Sequence, residues 1–369
     1  MKTIPLKPLP MTRTEMEERG WDQLDFLCIT GDAYVDHPSF GIALISRILE
    51  AEGFQVGILA QPDYRSVEDF KRLGKPRLGI LITGGNLDSM VSNYTVSKKP
   101  RRKDVYSPGG MGERRPDRAS IVYAVRAREA FKGVPIILGG LEASLRRFAH
   151  YDYWEDRLRR SILLDAKADL LVYGMGERAI IEIARRLRVQ GPNADLTGIR
   201  GTVYAVSSLP PDFRGILLPS FEELLLDRAA YAKSFLLQYQ NTDPFSSLPL
   251  AEPYGQGNPS DTGKSTPPRF VVQEPPALPL STEELDRVFS LPYTRTYHPA
   301  YESEGGVPAL EEVRFSLISS RGCFGGCSFC ALTFHQGRIV QSRSHDSLLE
   351  EAEKLTQLPD FKGYIHDVG

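Results

Sequence analysis

Short apolar runs alternate with amphipathic stretches through roughly the first 210 residues, the pattern of strands interleaved with helices. Strands are expected at Leu24–Ile29, Gln55–Ala60, Leu78–Thr83, Pro135–Leu138, Leu170–Tyr173 and Thr202–Val206. Several run straight into glycine: Thr30-Gly31, Gly84-Gly85, Gly139-Gly140 and Gly174. Between them, Ser39–Glu52, Arg118–Lys132 and Glu177–Val189 carry apolar residues at helical spacing, and each is closed by a glycine (Gly53, Gly133 and Gly191). Near-continuous apolar strands alternating with helices predict a doubly wound α/β domain with a parallel sheet covered on both faces. In such folds ligands sit beyond the carboxyl ends of the strands.

The pattern then changes. Ser220 and Glu223 form a capping box ahead of Leu224-Leu225-Leu226, which predicts one long helix to about Gln240. From 243 to 280 prolines recur, and the polar, turn-rich stretch around 254–267 reads as a mobile linker or surface excursion. Ser281-Thr-Glu-Glu284 is a second capping box, followed by a short helix to about Ser290. A strand over Val313–Ile318 leads into a cysteine-rich loop, a capped helix begins at Ser344, and Tyr364-Ile365-His366 opens another strand. The expected organisation is an N-terminal α/β domain over 1–242, a Pro/Gly-rich linker over 243–280 and a further α/β unit over 281–369.

Composition narrows the function little. Hydrophobic residues at 41% and charged residues at 25% are ordinary for a folded globular protein. A formal charge of -2 gives no general reason to expect nucleic acid or an anionic membrane as partner. No apolar run is long enough to span a bilayer, and the N-terminal Met-Lys-Thr-Ile-Pro-Leu lacks a signal-peptide core.

The cysteines change the picture. Three of the four lie in Cys323-Phe-Gly-Gly-Cys327-Ser-Phe-Cys330, while Cys28 sits alone on an expected strand as a small buried hydrophobe. Clustered thiols fit a metal site in a reducing cytoplasm rather than a secreted disulfide framework. Three thiolates at this spacing can converge from one loop, and Gly325-Gly326 allows the tight backbone this needs. A cubane iron-sulfur cluster takes four Cys ligands, so three would leave one iron open. Structural zinc, with His335 completing a Cys3His set, is the alternative.

A C-x3-C-x2-C run with an aromatic residue, Phe329, before its last cysteine resembles the signature of the radical SAM superfamily. The resemblance narrows to the bacterial YgiQ-type family. It is carried by Gly31-Asp-Ala-Tyr-Val-Asp-His-Pro-Ser-Phe-Gly41, Tyr106-Ser-Pro-Gly-Gly110, Arg115-Pro-Asp-Arg-Ala119, Gly139-Gly-Leu-Glu-Ala-Ser144 and Gly363-Tyr-Ile-His-Asp-Val-Gly369. It implies that Cys323, Cys327 and Cys330 ligate a [4Fe-4S] cluster whose open iron chelates S-adenosylmethionine, with Phe329 near the adenine. It implies reductive cleavage to methionine and a 5′-deoxyadenosyl radical, a reductant such as flavodoxin or ferredoxin, and a substrate the sequence does not name. The family's barrel extends well past one β/α unit, so 281–369 is expected to be an incomplete radical SAM barrel. The remainder would come from a second chain. A non-catalytic metal-binding interaction module and an inactive fragment of a disrupted gene are the competing readings.

The N-terminal domain resembles the flavodoxin-like, cobalamin-binding-type domains that precede many such barrels, which makes cobalamin a lesser cofactor candidate. Asp36 directly adjoins His37, so the Asp-x-His-x-x-Gly motif for imidazole ligation of cobalt fails. The basic stretch Lys98–Lys103, with Arg114, Arg115 and Arg118, reads as a solvated loop that covers the site rather than a nucleic-acid surface. Arg146-Arg147, Tyr151, Tyr153, Trp154 and Arg157–Arg160 read as one face of a helix stacked on core aromatics. Gly263-Lys-Ser-Thr266 is no phosphate-binding loop, because Asn258 stands where the first glycine is required.

Overall fold

The computed structural model describes residues 6–255 and 269–369. The tetrapeptide 263–266 and most of the stretch around 254–267 lie outside them. Among the described residues eleven strands organise the first three quarters of the chain: β1 (Phe26–Thr30), β2 (Val56–Ala60), β3 (Gly79–Thr83), β4 (Ile136–Gly139), β5 (His150–Asp152), β6 (Arg157–Arg159), β7 (Leu170–Val172), β8 (Thr202–Val206), β9 (Ile216–Leu217), β10 (Leu250–Tyr254) and β11 (Arg269–Gln273). Nine of them form one mixed sheet in the order β2-β1-β3-β4-β7-β8-β11-β10-β9.

From β2 to β7 every pairing is parallel. These strands are buried on both faces because their residues are almost uniformly apolar. The helices Gly41–Ala51 and Glu177–Gln190 cover one face with Ile48, Leu49, Ile180, Ile183 and Leu187. Ala119–Ala130 covers the other with Ala119, Tyr123, Ala124 and Ala127. Each large apolar side chain enclosed this way contributes roughly 1.5–3 kcal/mol. Cys28 is fully buried in β1, where it accepts a hydrogen bond from Ser46 Oγ at 3.3 Å. Burial pushes its thiol up to about 12, which leaves it an inert packing group.

Up to residue 280 the structure corrects the sequence reading at four places. The sheet is not wholly parallel: β8 runs antiparallel to β7, and β11 antiparallel to both β8 and β10. After the 177–190 helix, residues 191–201 carry the chain back to the carboxyl edge, where Tyr173 N donates to Gly201 O at 2.9 Å. Residues 243–280 are not simply a linker, since β10 and β11 extend the sheet from within them. The long helix after Ser220 breaks at Asp227, whose extended backbone lets its carboxylate cap Ala229 N at 2.8 Å, giving Phe221–Leu226 and Arg228–Gln240. The aromatic-basic segment is the β5–β6 hairpin rather than a helix; Asp152 Oδ1 accepts from Trp154 N and Glu155 N and closes its turn.

The C-terminal segment is stitched to the sheet domain by backbone and charge. Asp36 N donates to Thr296 O, and Arg295 N to Asp36 O, both at 2.9 Å. The Asp36 carboxylate is fully buried; it accepts from Arg47 Nε at 3.1 Å and from Thr294 N at 3.0 Å. The expected strand over 313–318 is shorter than the pattern suggested, a helix Ala309–Val313 leading into Ser316–Leu317. Ser316–Leu317 pairs in parallel with Asp367–Val368, with the helix His345–Thr356 between them. Ser320–Arg321 pairs antiparallel with Gln341–Ser342.

Truncating Asp36 to Ala leaves the buried Arg47 guanidinium with Glu50 as its one remaining ionic partner and should cost about 3 kcal/mol in urea denaturation. An Asp36→Leu/Arg47→Met double variant should recover most of that loss, because no unpaired charge remains.

Candidate functional site

The cysteine loop occupies residues 322–331, between Ser320–Arg321 and the short helix Leu332–His335. Both of its ends are fixed to the sheet domain. Arg321 is buried and donates through Nη1 to Glu177 Oε1, and its guanidinium lies 5.0 Å from the Phe289 ring centre. At the other end His335 Nδ1 faces Ser144 Oγ at 3.0 Å, and Ser144 Oγ also accepts from Gly174 N at 3.1 Å. Ser144 ends the helix that leaves β4, and Gly174 follows β7. The loop therefore sits over the carboxyl ends of two central strands.

Within the loop, Cys323 N donates to Gly337 O and Cys330 N to Cys327 O, both at 3.1 Å. Gly322 takes φ +90°, and a side chain there would strike Ile339 O at 2.2 Å, so this hinge admits only glycine. A methyl group at Gly325 would lie 3.2 Å from Cys323 Sγ and 3.8 Å from Cys327 Sγ. The bare glycine is thus a cradle around which two of the three thiols gather. Cys330 stands further along the same turn. Among the described residues no three Cys, His, Asp or Glu side chains are drawn into a finished metal-binding group. Cys323 and Cys330 are half-buried and Cys327 is exposed. Phe324 and Phe329 are 85% and 89% exposed, so two large aromatic faces flank the thiols with nothing packed on them among the described residues. His335 points its Nδ1 at Ser144, and burial pushes its imidazole down to about 4, holding it neutral.

A second group of aromatics supports the loop from the far side. Phe235, Tyr239 and Phe334 pack with ring centres about 6 Å apart. Arg338 lies 4.5 Å from the Tyr239 centroid, and a methyl at Gly326 would sit 3.3 Å from Tyr239 Oη.

Beneath the loop is a cavity of about 610 Å³ at the carboxyl ends of β1, β3, β4 and β7. Its lining runs from Thr30 and Thr83 through Gly139 and Glu177 to Arg321 and His335. The loop carrying the basic stretch closes part of its rim. Tyr106 lines the cavity, and buried Arg115 donates to Gly31 O at 2.8 Å and Asp32 Oδ1 at 2.6 Å. Lys98 lies 4.8 Å from the Tyr153 ring centre. His37 is buried with both ring nitrogens engaged: Nδ1 accepts from Ser39 N and Nε2 lies 3.0 Å from Arg295 Nη1. The sequence reading missed Glu177 and Arg321 as a pair, because 144 residues separate them. Locally the sequence shows only a strand that ends at Gly174 and a helix that starts at Glu177.

The family model described as Radical SAM N-terminal matches residues 8–316, which makes this a protein of the radical SAM class. A UPF0313 protein of Clostridium perfringens (strain 13 / Type A) is 56% identical over 364 residues, covering 98% of this chain and 53% of its own. A UPF0313 protein of Clostridium botulinum (strain 657 / Type Ba4) is 54% identical over 361 residues, covering 98% and 55%. The chain therefore belongs to the UPF0313, YgiQ-type family, and it spans about half the length of the curated relatives it matches. Among solved structures, the radical S-adenosylmethionine methyltransferase TsrM from Kitasatospora setae, with tryptophan and aza-SAM bound, matches with a TM-score of 0.47 and 17% identity. That match covers 89% of this chain and 45% of TsrM.

His335 yields a pH prediction with a definite sign. Its folded value lies below the ordinary histidine value of 6.5, so the stability it contributes is present above pH 6.5 and is lost as pH falls towards about 4. Amide hydrogen exchange across 332–342 should accelerate selectively, relative to β1 and β3, between pH 7 and pH 5. In His335→Gln that selective acceleration should disappear.

Proposed function

We propose that Cys323, Cys327 and Cys330 hold a [4Fe-4S] cluster with one iron open to S-adenosylmethionine, as part of a radical SAM enzyme. The observation that carries this is the glycine cradle: Cys323 and Cys327 Sγ already crowd Gly325, on a loop tied at both ends to the sheet domain. An all-thiol donor set on one short turn fits an iron-sulfur centre. When bound, such a cluster supplies the electron that cleaves the sulfonium to methionine and a 5′-deoxyadenosyl radical, which abstracts hydrogen from a substrate. The chain's own residues bind, orient and shield. The thiols must lose their protons to ligate, so loading should weaken at low pH. Phe329, with its face free, would stack on the adenine of S-adenosylmethionine, and Phe324 would help exclude water. Gln336 Oε1 accepts from Gly322 N at 3.1 Å and holds the hinge.

In this reading the parallel run β2-β1-β3-β4-β7 supports a doubly wound, flavodoxin-like core within residues 1–242, to whose sheet β10 and β11 add. Residues 281–369 begin a radical SAM barrel, supported by the parallel pair Ser316–Leu317 and Asp367–Val368 on either side of a helix. Residues that complete the barrel, supplied for example by a second chain, would cover the exposed phenylalanines. The electron donor would be a small reductant such as flavodoxin or ferredoxin. Four free thiols fit a cytoplasmic setting, and among the described residues no helix is long and apolar enough to cross a membrane.

Anaerobic reconstitution should load about four iron and four sulfide per chain. Replacing any one of the three cysteines by Ser should cut both contents severely while Cys28→Ser leaves them unchanged. Stoichiometric zinc without sulfide would overturn the proposal. Adding dithionite and S-adenosylmethionine to the loaded chain should yield 5′-deoxyadenosine.

A further inference from the structure

The cavity under the cysteine loop has a chemistry of its own. It spans the carboxyl ends of β1 and β3, where the chain turns from β2 on one side of β1 to β3 on the other. That reversal is the place in open α/β sheets where neighbouring loops part and leave a crevice for a ligand. At about 610 Å³ it is the size of a site that encloses an organic molecule.

Three observations narrow what fits. First, Glu177 is 4% exposed and lines the cavity; Oε1 is held by Arg321, while Oε2 has no hydrogen-bond partner among the described residues. A buried carboxylate oxygen without a donor is costly, and one N–H would satisfy it. Second, the Gly41–Ala51 and Glu177–Gln190 helices both begin at the cavity wall; Gly41 N donates to Asn86 Oδ1 at 3.4 Å, and the Glu177–Gln190 helix has no side-chain cap at its start. The remaining first-turn amides offer donors that need acceptors. Third, the charged side chains of the lining are Glu177, Glu312, Asp367 and Arg321, and the arginine is already paired with Glu177. Three carboxylates to one committed guanidinium disfavour phosphate or carboxylate ligands, despite the two helix starts. The rest of the wall is largely apolar, with Ile42, Ile45, Val172, Ile180, Leu317 and Ile318.

We infer that this cavity is a second ligand site, distinct from the cysteine loop, for an uncharged, apolar-bodied organic molecule edged with carboxamide or lactam groups. An amide edge presents a carbonyl and an N–H side by side. The carbonyl would accept from the helix-start amides and the N–H would donate to Glu177. The apolar body would lie against the isoleucines, with the glycine turns Gly139-Gly140 and Gly174 bringing main chain close to it. The inference stands apart from the cluster reading, because none of the three cysteines lines the cavity.

Two coloured probes carry this chemistry from different sources: riboflavin, with a ring lactam edge, and dicyanocobinamide, with peripheral carboxamides. Equilibrium dialysis against the 369-residue chain should show saturable binding of one of them below about 1 mM. Which one binds separates a flavin-like from a corrinoid-like occupant. Glu177→Gln should weaken binding about tenfold, because a charged acceptor becomes a neutral one. Ile45→Trp, which fills the cavity without touching Glu177, should abolish it while thermal unfolding stays cooperative. The Cys323→Ser/Cys327→Ser/Cys330→Ser variant should bind as the parent does. The inference is overturned if neither probe binds, if binding ignores both Glu177→Gln and Ile45→Trp, or if it vanishes in the cysteine variant. None of these results depends on whether a cluster can be loaded.

Discussion

The ion pair between Arg321 and Glu177 is the constraint around which the functional half of this molecule is arranged. Arg321 is the last residue before the cysteine loop's hinge, and Glu177 is the first residue of a helix that covers the sheet. Both are buried, so the pair holds only while each charge has the other. It fixes where the loop leaves the C-terminal segment and which way it faces. It also closes one wall of the cavity and commits one carboxylate oxygen, leaving the second free. Lower down, Arg295 and Arg343 both donate to Glu351, and Asp36 ties Arg47 to the 294–296 backbone. These contacts hold the C-terminal segment in place, whereas the Arg321–Glu177 pair touches both the loop and the cavity.

How much of this could be read from the sequence follows from the range of each interaction. The parallel strands were legible because apolar runs of four to five residues end in glycine, as at Thr83-Gly84 and Gly139-Gly140. The helix starts at Ser220, Ser281 and Ser344 were legible because a cap is a contact between residues three apart. The break at Asp227 was not, although it too is a cap, because Leu224–Leu226 and Phe235–Leu237 continue the apolar pattern across it. Strand direction was not legible either. β8 looks like any other buried strand, and only the return path through 191–201 turns it antiparallel.

The candidate site divides along the same line. The three cysteines and Phe329 announce themselves by spacing, and the structure gathers two of the thiols around Gly325. The groups that place the loop come from Glu177 and Ser144, and no local pattern links them to residues near 330. The hairpin Tyr151–Arg159 shows the opposite error. There, dense aromatic and basic residues suggested a helix face, whereas Asp152 makes a turn by accepting two backbone N–H groups.

One consequence of Glu177's position concerns exchange of free energy between the two sites. The same carboxylate belongs to the loop's anchor and to the cavity's wall. A molecule in the cavity that favours the docked arrangement of Arg321 must stabilise that arrangement, and a docked loop must raise the affinity for that molecule by an equal factor. Occupancy below and order above are then linked functions of one side chain. The cysteine loop would be held most firmly in place when the pocket beneath it is full.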